Sequence, residues 1–65
     1  MRITLNGEAL ETQSENIAAL LHERAMPQIG VAVARNGSVV RRADHQSTLL
    51  REGDAIEIIR AVQGG

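Results

Sequence analysis

The sequence predicts an α+β domain in which one main helix lies on one face of a mixed sheet of about five strands. Three observations predict it. Two alternating polar-apolar runs are each broken by an Asn-Gly pair, at Asn6-Gly7 and at Asn36-Gly37. One segment between them, around Ile17, Leu20 and Leu21, repeats its apolar residues at helical spacing. The longest β-branched run, "AIEIIRAV", comes near the end of the chain.

The elements follow in order. "RITL" puts Ile3 and Leu5 on one face. Asn6-Gly7 then supplies two residues that tolerate positive φ, the strongest short hairpin signal, and "EALET" returns with Leu10 inward. Ser14 is the expected helix N-cap, with Glu15 in the first turn where the helix dipole favours an anion. Pro27 closes the helix, so it is expected over residues 15–25.

"GVAVARNGSVV" reads as a second hairpin turning at Asn36-Gly37. "RRADHQS" is a polar connector with room for one helical turn, and "TLL" is a candidate brief strand. Glu52-Gly53-Asp54 signals a turn, and "AIEIIRAV" is expected as a central strand. Matched periods predict that Ile17, Leu20 and Leu21 meet Ile3, Leu5, Val31, Val33, Ile56 and Ile58.

Composition narrows the function. Sixty-five residues make one small domain, which buries roughly 60% of its unfolded surface and leaves no room for a deep catalytic cavity. Aromatic residues are absent and the net charge is −1, which argues against nucleic-acid binding by stacking or by phosphate attraction. There is no cysteine to form a disulfide or a thiolate. All seven basic residues are Arg, so no side-chain amine is available for Schiff-base chemistry. No signal peptide or membrane span is read, and the cytoplasm is the expected compartment. His22 and His45 lack metal-ligand spacing and are read as a solvated helix His and a loop His. No Gly-rich phosphate loop followed by Lys is present.

Two hairpin-forming runs around a helix, then a final strand and "RAVQGG", resemble the β-grasp, or ubiquitin-like, fold. The closer resemblance is to the sulfur carrier proteins of thiamine biosynthesis. It covers the whole chain and rests on the length, on "ARNG", on "EGDAIEI" and on the Gly-Gly end. Relatives often read Val-Pro-Arg and then Trp after the second hairpin; here Arg41 stands where Pro is expected and His45 where Trp is expected.

The resemblance implies a domain over residues 1–62 and a flexible tail over 63–65. It implies that the Gly65 carboxylate is adenylated by a separate E1-like adenylyltransferase using ATP and Mg²⁺, with no cofactor bound to this chain. Sulfur from a cysteine desulfurase pathway then gives a thiocarboxylate, which thiazole synthase uses. Gly64 and Gly65 lack a Cβ, so they suit a narrow channel and uncrowded attack at the carbonyl. Ile59 is placed on the face opposite Ile56 and Ile58 and, with Arg60, Val62 and Gln63, forms the expected partner contact. Three other readings stand beside this one: a carrier for molybdopterin or cysteine synthesis, a ubiquitin-like protein modifier, and an interaction module with an inert tail.

Overall fold

The computed structural model describes residues 1–60. Val62, Gln63, Gly64 and Gly65, and the expected boundary between domain and tail, lie outside the described residues.

Strands β1 (Arg2–Leu5) and β2 (Glu8–Glu11) form the first hairpin. Helix α1 (Ile17–Glu23) follows. Strands β3 (Val31–Arg35) and β4 (Ser38–Val40) form the second hairpin, and β5 (Ala55–Arg60) is the last strand. The sheet order is β2-β1-β5-β3-β4. β5 is parallel to β1 and antiparallel to β3. This is the β-grasp architecture.

Both Asn-Gly pairs form two-residue turns with positive φ at each position: 51 and 85 degrees at Asn6-Gly7, 52 and 85 degrees at Asn36-Gly37. Leu5 then faces Glu8, and Arg35 faces Ser38. The turn twist suits that of the flanking strands, which is why this dipeptide is favoured there.

The core lies between α1 and one sheet face. Ile17, Leu20 and Leu21 pack with Ile3, Val33, Ile56, Ile58 and Leu50, while Leu5 and Val31 pack half-buried beside them. The matched periods thus assign the faces correctly, and Leu50 is the core residue they did not name.

The helix is shorter than expected at both ends, for identifiable reasons. Asn16, not Ser14, is the N-cap, and its side-chain oxygen accepts from the Ala19 amide at 2.7 Å. Asn16 is extended and bridges Leu49, and the Leu50 amide donates to the Glu15 carbonyl. That pairing holds residues 15 and 16 out of the helix, so Glu15 is not in its first turn. At the other end, Ala25 takes φ 57 degrees. The Ala25 amide donates to the His22 carbonyl and the Met26 amide to the Leu21 carbonyl. Those two bonds make a left-handed C-terminal cap, with Ala where Gly is usual.

The connector also departs from expectation. It contains one short 3₁₀ turn, Arg42–Asp44, and "TLL" contributes only the Leu49 bridge. His45 lies in the turn after Asp44, as a loop residue, but is buried, at 1% exposed. Its carbonyl accepts from the Ala18 amide, and the Thr48 carbonyl accepts from the Ile17 amide. The connector is thereby pressed onto the start of α1, and the ring is carried inward. Its Nδ1 has no hydrogen-bond partner among the described residues. No helix among those residues is long and apolar enough to cross a membrane.

Candidate functional site

The candidate site is the end of β5 and the sheet face beside it. β5 is held from both sides. The β1 ladder covers only its start, Thr4 with Ala55 and Leu5 with Ile56, whereas β3 pairs with it from Ile56 through Arg60.

Beyond Ile56, side chains take over from β1. The Asn6 side-chain oxygen accepts from the Ile58 amide at 2.9 Å, and its amide nitrogen donates to the Ile58 carbonyl at 3.3 Å. At the other end of the strand, the Asn36 side-chain oxygen accepts from the Ala55 amide at 2.9 Å. The Asn36 amide nitrogen donates to the Asp54 carboxylate at 3.0 Å. The turn residue of each hairpin therefore clamps the same central strand. These clamps hold β5 at its start, Ala55, and at Ile58, two residues before its end.

The helix-free face of the sheet carries an apolar cluster next to that exit. Ile59 is 66% exposed there, as its alternation with Ile58 predicts. Its partner across the ladder is Ala32. Two residues on, Ala34 faces Val39, which is 79% exposed. Ile59, Ala32, Ala34 and Val39 thus adjoin across β5, β3 and β4. Arg60 is exposed but does not belong to this face, because alternation puts it on the side of Ile56 and Ile58. Val39 was the residue that sequence reasoning missed. Its face could be assigned only once its pairing with Ala34 was fixed.

The rest of the surface offers little chemistry. A hollow lined by Glu11, Thr12, Ser14, His22 and Glu23 is closed on itself, since Glu23 accepts hydrogen bonds from both the Thr12 and Ser14 hydroxyls. Those bonds, Ser14 first and Thr12 second, hold the Glu23 carboxyl below its ordinary pKa. A second hollow is lined by Arg35, Ser47, Thr48, Leu49 and Arg51. There Arg35 donates to the Leu49 carbonyl, and both hydroxyls donate to the Asp44 carbonyl. No group of three or more potential metal ligands occurs among the described residues.

The described residues thus place an exposed apolar cluster beside the end of β5. Residues 2–65 match the family model described as the ThiS family. This chain belongs to the ThiS family. It is 30% identical over 63 residues to the sulfur carrier protein ThiS of Thermus thermophilus, covering 97% of this chain and 98% of that one. It is 32% identical over 66 residues to a protein of Paramagnetospirillum magneticum named thiazole synthase. That match takes in all of this chain and 20% of the relative, so the chain spans about a fifth of that protein's length.

Two solved structures agree with the fold. The crystal structure of the thiamine biosynthesis protein ThiS from Geobacter metallireducens gives a TM-score of 0.85 at 30% identity, with full coverage of both chains. The solution structure of a thiamine biosynthesis protein from the same organism gives 0.80 at 30% identity, covering all of this chain and 88% of that one.

Proposed function

We propose that this chain is a sulfur carrier for thiamine biosynthesis that holds its sulfur as a thiocarboxylate at Gly65. Family membership supports the carrier role. The observation that carries the reading further is the placing of the Ile59 cluster next to the point where β5 delivers residues 61–65. A cluster of that kind serves docking, and the segment beyond it serves reaction.

The chemistry follows from what a carboxylate lacks. It is a poor acyl electrophile. Attack of its oxygen on the α-phosphorus of ATP expels pyrophosphate and leaves an acyl-adenylate. The outer sulfur of a persulfide then attacks the carbonyl carbon and AMP departs, leaving an acyl disulfide; a thiol on a partner cleaves its S–S bond, which releases the thiocarboxylate and forms a disulfide on the partner. The cation and the nucleotide site belong to the adenylyltransferase. This chain has no cysteine, so the sulfur must arrive from outside, in this reading from a cysteine desulfurase pathway. The chain acts as a protein substrate and not as the catalyst. Gly64 and Gly65 let the backbone enter a narrow channel, and Ile59, Arg60, Val62 and Gln63 contact its mouth.

Thiazole synthase is the proposed acceptor of the sulfur. A protein of that name containing a stretch similar to this whole chain favours the thiamine pathway over molybdopterin or cysteine synthesis.

Deleting Gly65 tests the reading. ATP–pyrophosphate exchange with the purified adenylyltransferase is expected to be lost while the melting curve stays in place. Normal exchange by the shortened chain would refute it. Intact mass from the host separates carrier from modifier: a sulfur-for-oxygen exchange supports the first, a protein adduct the second.

A further inference from the structure

Arg41 takes no part in the reading above, but the sheet geometry gives it one. β4 ends at Val40, yet Arg41 stays extended, at φ −68 and ψ 153 degrees. Val40 packs against the core and Val39 points outward, so alternation returns Arg41 to the helix-free face. The ladder pairs Ala34 with Val39 and Val33 with Val40. One further step of that register brings Arg41 alongside Ala32, whose other neighbour is Ile59. Arg41 therefore stands at the rim of the apolar cluster, at the end of the sheet where β5 finishes.

Its charge is little used within the domain. Among the described residues its ionic partner is Asp44, with Nε 3.5 Å from Oδ2 and the two side chains 79% and 48% exposed. An exposed pair of that kind contributes little. Glu57 lies across the same cluster, opposite Ala34 on β5. The apolar residues thus sit between a cation at the β4 edge and an anion on the central strand.

We infer that Arg41 is a specificity residue of the docking face and takes a carboxylate on the adenylating enzyme. The inference rests on the docking role proposed above. Charge complementarity argues it: an apolar centre gives contact, and a charge at its rim steers encounter and fixes orientation. A partner seated the other way round would bring that carboxylate to Glu57, and the contact would be repulsive.

The test measures KM and kcat for the carrier in ATP–pyrophosphate exchange, using Arg41→Glu, Arg41→Lys, Asp44→Asn and Ile59→Asp. Arg41→Glu is expected to raise KM about tenfold at low salt with kcat unchanged, as for a charge at an interface rim. At about 0.5 M salt the difference should shrink to roughly twofold. Arg41→Lys keeps the charge and should change KM by no more than about twofold. Asp44→Asn removes the internal pair and should leave KM unchanged or lower it. A role for Arg41 in holding the connector alone would instead make Asp44→Asn as harmful as Arg41→Glu, and that result overturns the inference. So does an unchanged KM for Arg41→Glu while Ile59→Asp raises it, in which case the docking face stands without Arg41. If neither variant alters KM, the docking role falls and the inference falls with it.

Discussion

The two hairpins share a turn sequence and a turn geometry, yet they do different work. Asn6 and Asn36 have φ values of 51 and 52 degrees, and the glycine after each has 85. Each asparagine reaches β5, one 52 residues away and the other 19. Asn6 serves only backbone, the amide and carbonyl of Ile58. Asn36 serves one backbone amide and one carboxylate, that of Asp54, which is 7% exposed. The same local code therefore supports a strand end in one case and a buried charge in the other. A turn motif fixes the local path of the chain, and what its side chain does depends on the strand that arrives beside it.

Breaking the clamps separates these roles. Glycine accepts the same positive φ, so Asn→Gly removes the side-chain bonds and spares the turn. Asn36→Gly is expected to cost about 3 kcal/mol in denaturant unfolding, because it strips a donor from the buried Asp54 carboxylate and an acceptor from the Ala55 amide. Asp54 would keep the Arg51 amide at 2.9 Å and Arg35 at 3.9 Å. Asn6→Gly is expected to cost about 2 kcal/mol. Hydrogen exchange should speed up most at Ile58, whose amide loses its partner, and only in this variant. Equal losses and equal exchange patterns for the two variants would erase the distinction.

Alanine at the two turn glycines probes what the hairpins have in common. Gly7→Ala and Gly37→Ala both place a Cβ at φ 85 degrees, with open space around it. Each should cost about 1 kcal/mol through backbone strain alone, and the two values should agree closely.

The smallest expected effect belongs to the first hairpin. Thr12, just after β2, ties it to the end of α1 through Glu23. Glu23 has a carboxyl pKa held below its ordinary value of 4.5. A lowered folded pKa contributes stability that is present above the unfolded value and is lost as pH falls through the folded one. Parent and Glu23→Gln should therefore differ in melting temperature at pH 7, and the difference should shrink as pH falls below 4.5 and through the lowered folded value. The gap should be small, since Glu23 is exposed.

The hairpins, the helix stripe and the face assignment of β5 were legible because each depends on spacing within a few residues. The start of the helix was not. Ser14 and Asn16 are both competent caps, and the choice was made by Leu49 bridging Asn16 from the far side of the chain. The burial of His45 was not legible for the same reason, since it comes with its carbonyl accepting from the Ala18 amide. Ile59 could be placed from alternation within one strand. Its neighbours Ala32 and Val39 could not, because they required the order and register of three strands. Arg60 was grouped with Ile59 by nearness in sequence, and alternation separates the two.

The pairing of β1 with β5 has a consequence for the birth of the molecule. Thr4 meets Ala55 and Leu5 meets Ile56 in the middle of the sheet, so β1 waits for β5. Until β5 emerges, β1–β2 and β3–β4 are two hairpins with nothing between them, and neither hairpin is stable alone. Folding therefore waits on a non-local pairing, and pairing of this kind slows it. A chain released before Arg60 lacks the centre of its sheet and presents itself to proteases. Quality control is thus built into the strand order, because the sheet joins its two halves only when β5 is present.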